Sequence, residues 1–367
     1  MEPITYAAAG VDVEAGDRAV ALMKSAVART FTREVVGGIG GFAGLFDVSS
    51  LRDFRRPLLA TSTDGVGTKV AIAQALDRHD TIGFDLVAMV VDDIVVCGAR
   101  PLFMTDYIAC GRVVPERIAQ IVTGIADACV EAGCALTGGE TAEHPGLLGP
   151  DEYDLAGAAV GAVEADQLLG PHRVEVGDVV LALAASGLHS NGYSLVRKVF
   201  EGPEWSYDRH VDELGRTLGE ELLTPTRIYA QPVVELAAAL GTGLHAVSHV
   251  TGGGLAANLA RVVPPEMAAV IERSTWTPPA VFELVRQVGQ VPVDDLERTL
   301  NLGVGMVVVL APEAAERAEQ LLAAAGVSSW RVGRVERGGT PPAGASTTLG
   351  AKGVKGGAVH VVGVHPR

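Results

Sequence analysis

The sequence predicts a two-domain protein of mixed α+β and α/β character, and three observations carry that reading. The chain has 367 residues, about 2.4 times a common domain length of roughly 150 residues. Apolar residues make up 48% and charged residues 20%, a composition that buries a sizeable core and is unlike that of disordered chains. A polar stretch over 164–177, carrying Gly170, Pro171 and Gly177, separates two series of alternating strand-like and helix-like segments. The domains are accordingly placed at 1–165 and 166–337, with 338–367 as a tail.

Residues 58–61 read as a strand ending in a glycine loop. The segment 82–96, read as a helix, is apolar nearly all round, which marks a buried helix. Residues 102–109 form the next strand. Pro115 then opens a helix whose Ile118, Ile121, Val122, Ile125 and Cys129 keep helical spacing until Gly133 stops it. A strand at 134–137 completes a strand–helix–strand crossover, and 153–163 adds another strand. The second half restarts with a strand at 179–183, a loop and a helix near 192–200. A helix over about 225–240 ends at Gly241. A strand at 245–250 runs into Thr251-Gly252-Gly253-Gly254 and a further helix, and apolar 304–310 closes the core. From Gly338 onward there are eight glycines, no acidic residue and no helical period, the composition of a flexible tail.

Lys and Arg number 29 against 44 Asp and Glu, a net charge of −15, which argues against nucleic acid or an anionic membrane as a partner. No segment reads as a membrane span, and the acidic start (Glu2, Asp12, Glu14, Asp17) is unlike a signal peptide. Cys97, Cys110, Cys129 and Cys134 show no CxxC spacing and read as reduced thiols of a cytoplasmic protein.

Glycine is in excess, at 45 residues, and clusters in short loops. Gly37-Gly38-Ile39-Gly40-Gly41-Phe42-Ala43-Gly44 formally contains G-x-G-x-x-A, but residues 44–53 are poor material for the helix that a dinucleotide site needs. A flexible loop whose amides close over a phosphate chain is the better reading. Thr63-Asp64-Gly65-Val66-Gly67-Thr68-Lys69, at a strand end, suits a magnesium–phosphate site, with an ordinary Asp-Gly turn as the alternative. On the 82–96 helix Asp85 and Asp92 share one face, with Asp93 roughly 80° further round. Unpaired buried carboxylates cost several kcal/mol each. The segment holds no Lys or Arg, so the expectation is a metal rather than a salt bridge. Glu140, in Gly138-Gly139-Glu140-Thr141, is expected to emerge at a strand end. Ser186-Gly187-Leu188-His189-Ser190-Asn191-Gly192 joins a strand to a helix and sets His189 in what reads as an exposed, glycine-flanked loop.

These stretches together resemble the phosphoribosylformylglycinamidine cyclo-ligase (aminoimidazole ribonucleotide synthetase) family, from Tyr6 to about Gly333. Further anchors are Ala9-Gly10-Val11-Asp12, Asp80-Thr81-Ile82-Gly83, Gly98-Ala99-Arg100-Pro101, Pro225-Thr226-Arg227-Ile228-Tyr229 and Gly303-Val304-Gly305-Met306. The resemblance implies a cytoplasmic homodimer whose N-terminal domains build a β-barrel across the interface, with an α/β C-terminal domain. It implies ATP-dependent ring closure of formylglycinamidine ribonucleotide, with ATP and Mg2+ as cofactors and a K+ requirement left open. By position it implies that Lys24 and the loop of Gly37, Gly38, Gly40 and Gly41 approach the nucleotide phosphates with Thr63 and Thr68. Asp64, Asp93 and Glu140 then hold the metal, His189 is catalytic with Lys24, His189 and Asn191 contact the transferred phosphate or the reacting amide, and Ser190, Thr251, Gly252 and Gly253 bind substrate. The chain departs from the family in carrying Asp92 for Asn, His144 for Met, and Leu300 and Leu302 for Phe and Cys. Thiamine-phosphate kinase, another ATP-using enzyme of the same superfamily, is the nearest rival.

Overall fold

A computed structural model describes residues 12–351 and 353–366; the motif residues Tyr6, Ala9, Gly10 and Val11 lie outside them. The chain divides into two compact units, one running to Ile94 and resuming at Arg100–Ala165, the other comprising Val95–Ala99 and everything from Asp166.

In the first unit, α1 (Val13–Arg29) starts at Asp12, whose carboxylate accepts the Ala15 N–H at 3.0 Å, a helix start that replaces an orphan donor's lost partner. The sequence reading did not anticipate this helix. Two short strands, β1 (Val35–Val36) and β2 (Leu45–Phe46), pair antiparallel and present the glycine-rich loop 37–44 between them. Next come β3 (Pro57–Gly65), α2 (Val70–Leu76), α3 (Ile82–Val95), β4 (Arg100–Cys110), α4 (Pro115–Ala132), β5 (Ala135–Glu143) and β6 (Tyr153–Glu164). Pro115 and the left-handed Gly133 bound α4 as expected. The sheet order is β3-β6-β4-β5, with β4 and β5 parallel and the other pairs antiparallel. The α4 crossover therefore joins the parallel pair.

One face of this sheet carries the buried Met104, Ile108, Leu155 and Ala159 beneath α3, whose Leu86 and Ile94 stand against Gly157 and Gly161. The opposite face presents Leu59 at 65% exposure and Tyr107 at 40%. Two expectations change here. β5 continues through Glu143, so Glu140 lies inside a strand rather than in a loop after one, and β3 likewise continues through Asp64.

The second unit contains β7 (Val179–Ala184), α5 (Tyr193–Val199), β8 (His210–Val211), β9 (Arg216–Thr217), α6 (Leu218–Leu222), α7 (Ala230–Leu240), β10 (Leu244–His249), α8 (Gly254–Leu259), β11 (Met267–Glu272), α9 (Ala280–Gly289), α10 (Val293–Thr299), β12 (Val304–Leu310), α11 (Ala315–Ala324), β13 (Ser329–Arg337), β14 (Ser346–Ala351) and β15 (Val354–Val362). Seven of these strands form one sheet in the order β10-β12-β7-β13-β11-β15-β14, in which only β11 and β15 run parallel. Its core includes Val180, Ala182, Ala246, Val307, Val309 and Val332.

The segment 338–367, expected as a flexible tail, instead contributes β14 and β15 to this sheet. β15 pairs with β11 from Ala268↔Ala358 to Glu272↔Val362, and Val359 has no exposed surface. The four cysteines are free, and burial pushes the Cys110 thiol up to about 11 and Cys134 up to about 12, so neither is a ready nucleophile. Among the described residues, no helix is long and apolar enough to cross a membrane.

Candidate functional site

The first unit holds a cavity of about 340 Å³ between α1, the glycine-rich loop and β5. Ala19, Met23 and Val27 of α1 form one wall, Gly38 to Gly44 a second, and Leu136 to Thr141 a third. This is the size and mixed polarity of a small-ligand site. The loop thus sits where the phosphate reading requires an open chamber beside it. Lys24 is exposed on α1 next to Met23, but Met23 rather than Lys24 lines the chamber.

The expected metal ligands are distributed differently. Asp64 is exposed, Asp93 half-buried and Glu140 exposed. Asp64 shares a register row with Gly157, Asp106 and Gly139, whereas Glu140 is paired with Tyr107, one residue on. Because side chains alternate along a strand, Glu140 projects from the sheet face opposite to Asp64. Among the described residues no group of three or more His, Cys, Asp and Glu side chains is placed to hold a metal ion. Thr63 and Thr68 are exposed near the end of β3, and the Asp64 carboxylate accepts the Gly65 N–H at 2.7 Å.

Asp85 corrects the expectation that its own carboxylate serves a metal. Its carboxylate accepts a hydrogen bond from Lys69 Nζ at 2.7 Å, and neither side chain has exposed surface. Burial pushes the Lys69 pKa down, and the Asp85 charge opposes that. The cation that the segment lacks arrives from the turn before α2, and Lys69, expected beside phosphate, is used inside the fold.

In the second unit the loop from Ser186 to Gly192 connects β7 to α5. His189 has φ +62° and is 1% exposed, not in the exposed setting that its glycine neighbours imply. Its Nε2 accepts the Ser186 N–H at 3.2 Å, which assigns that nitrogen as the unprotonated one. Tyr229 lies beside it with ring centroids 6.2 Å apart. The loop meets the Thr251–Gly253 segment: Asn191 Oδ1 accepts the Gly252 N–H at 3.0 Å, and Ser190 is buried. The helix that follows, α8, has only six residues.

Three residues that shape these places were not singled out from sequence. Asn258 donates to the Thr251 and Gly254 carbonyls at 3.1 and 2.8 Å. Asn301 donates to the Gly187 carbonyl at 2.9 Å and accepts the Gly303 N–H at 2.7 Å. Asp106 lines the chamber of the first unit. Its signal was present: within the apolar strand it takes the inward position between Met104 and Ile108, where alternation calls for another apolar residue.

The N-terminal domain model described as AIR synthase related protein matches residues 51–163, and the corresponding C-terminal domain model matches 175–341. A phosphoribosylformylglycinamidine cyclo-ligase of Geobacillus kaustophilus is 50% identical over 334 residues, covering 91% of this chain and 96% of its own. One from Anaeromyxobacter dehalogenans is 50% identical over 337 residues, covering 92% and 96%. Among solved structures, thiamine-monophosphate kinase from Stenotrophomonas maltophilia matches with a TM-score of 0.64 at 20% identity, covering 94% of this chain and 97% of its own. A complex of the hydrogenase maturation protein HypE with ATP matches at 0.61 and 18%, covering 97% of each. At such identities these last two are a likeness of fold.

Proposed function

The chain belongs to the AIR synthase related family, and from that premise we propose that it closes the ring of formylglycinamidine ribonucleotide at the expense of ATP, giving 5-aminoimidazole ribonucleotide, ADP and phosphate. The observation that carries this is the identity of half the residues over nine-tenths of the chain with proteins of that activity. Phosphorylation of the formyl oxygen turns it into a leaving group. The ribosyl-bearing nitrogen then attacks the formyl carbon, a C–N bond forms as that nitrogen gives up its proton to solvent, and the C–O bond breaks as phosphate departs.

In this reading the backbone amides of Gly37, Gly38, Gly40 and Gly41 and the cation of Lys24 hold the nucleotide phosphates beside the chamber. Of the candidate Mg2+ holders Asp64, Asp93 and Glu140, Asp64 and Glu140 leave opposite sheet faces, so a single ion would draw on Asp64 or Glu140 but not both. All are hard oxygen donors, and Mg2+ bound with phosphates needs only one or two carboxylates, so the lack of a three-carboxylate cluster among the described residues is compatible with that metal. Mg2+ supplies charge neutralisation on the polyphosphate. Ser190, Asn191, Thr251, Gly252 and Gly253 form the substrate-binding segment, held in shape by Asn258 and Asn301. His189, packed behind the loop, positions it through the Ser186 N–H. The half-open sheet face with Leu59 and Tyr107 supports a homodimer in which a second copy covers it, and four free thiols suit a cytoplasmic location.

The deciding experiment is incubation of the purified protein with formylglycinamidine ribonucleotide and Mg-ATP. Aminoimidazole ribonucleotide and ADP are expected in equal amounts. ADP formation with thiamine phosphate, and none with the formylglycinamidine substrate, would overturn the reading in favour of the kinase suggested by the fold.

A further inference from the structure

Asp106 is a buried carboxylate for which the reaction outlined above has no assigned use. It is 9% exposed, it lines the chamber of the first unit, and its carboxylate lies directly over Gly139, where a Cβ would overlap Oδ1. The absence of a side chain at Gly139 is therefore what lets the carboxylate occupy the chamber floor. Among the described residues no cationic or donor side chain pairs with it; its hydrogen-bond partner is its own backbone N–H. The apolar wall of Ala19, Met23 and Val27 faces the same space.

A desolvated carboxylate without a cation is costly unless a ligand completes it. Burial pushes Asp106 up to about 7, which is the cost expressed as proton affinity. A phosphate oxygen would add repulsion. The complementary partner is a planar group with two parallel N–H donors and a positive charge, which a carboxylate binds through both oxygens. The substrate of the proposed reaction carries one such group, its amidine.

We propose that Asp106 binds the amidine of formylglycinamidine ribonucleotide, its two oxygens accepting from the two amidine nitrogens, and so selects substrate and aims the ribosyl-bearing nitrogen at the formyl carbon. The inference rests on the ring-closure reading. Asp106→Asn keeps the shape and one acceptor but loses the charge and the second acceptor. In steady state it is expected to raise the KM for formylglycinamidine ribonucleotide at least tenfold while the KM for ATP and the half-saturating Mg2+ concentration stay within twofold. Gly139→Ala, which pushes the carboxylate aside without altering charge, is expected to show the same selective loss. Calorimetric titration of each folded variant with formylglycinamidine ribonucleotide alone, without nucleotide, reads the contact even if turnover is low. Unchanged substrate affinity in Asp106→Asn, or a loss confined to Mg2+ and ATP as a metal ligand would give, overturns the proposal. Wild-type enzyme run in parallel separates the two levels. If it forms no aminoimidazole ribonucleotide, the reading of the function fails; if it does and Asp106→Asn binds normally, only the role of Asp106 fails.

Discussion

Lys69 and Asp85 show how a single pair decides what a charge means. Both side chains are fully buried and meet at 2.7 Å, so each offsets part of the other's desolvation cost, and removing one takes that compensation away. Breaking such a buried pair costs about 3–5 kcal/mol, whereas replacing both partners by apolar residues of similar size is often close to neutral. Lys69→Met is therefore expected to lower unfolding free energy by about 3–5 kcal/mol, measured by urea denaturation, and Lys69→Met with Asp85→Leu to recover most of that loss. If the two single variants and the double variant were equally destabilised, the pair would not be the reason for the burial. The acidic face of α3 was legible in the sequence, but its partner was not, because Lys69 lies 16 residues away and meets Asp85 only after α2 and α3 have packed.

At the scale of elements, α4 was readable from its two end signals and β6 from its apolar run, whereas α1, capped by Asp12, and the glycine-rich β15 were not. Pro115 and Gly133 mark α4 at both ends by their backbone chemistry alone. Composition misleads for β15, since Gly356 and Gly357 look like the residues of a loose tail. In the fold they are where the backbones of Ala260 and Pro264 come so close that a Cβ would overlap their carbonyl oxygens; the glycines serve close packing, not freedom. Val359 and Val361 are then buried beside β11, and burying such a side chain contributes about 1.5–3 kcal/mol. A chain ending at Arg337 is expected to lose at least about 3 kcal/mol on that ground, seen as a lower urea midpoint or as failure to stay in solution. An unchanged midpoint would return 338–367 to the status of a tail.

At the scale of the molecule, the sheet β3-β6-β4-β5 has helices on one face and exposed Leu59 and Tyr107 on the other. Apolar side chains exposed on an uncovered sheet face suit an interaction face. Light scattering of the wild-type protein is expected to give twice the chain mass of 37.9 kDa, and Leu59→Glu, which places a charge on that face, is expected to shift the mass toward one chain. A monomeric wild type would remove the homodimer from the reading. The net charge of −15 has a consequence at the same scale: under the proposed function a polyanionic nucleotide would bind against the overall field, and the proposed glycine-loop amides, Lys24 and Mg2+ would have to supply the local attraction.

Motif order along the chain, the two series of elements and the glycine loops were determined by sequence alone, because hydrophobic period, caps and turn chemistry act between residues close along the chain. Both the Asn191 loop and the Thr251–Gly254 segment were visible as motifs, but that Asn191 accepts the Gly252 N–H was not. Tertiary structure alone decided that Asp85 pairs with Lys69, that His189 is packed inside rather than exposed, that Glu140 and Asp64 leave opposite faces of one sheet, and that Asp106 occupies the floor of a chamber. Each of these depends on strand register and helix docking between segments far apart in the chain, and a shift of one residue in register turns every side chain to the other face.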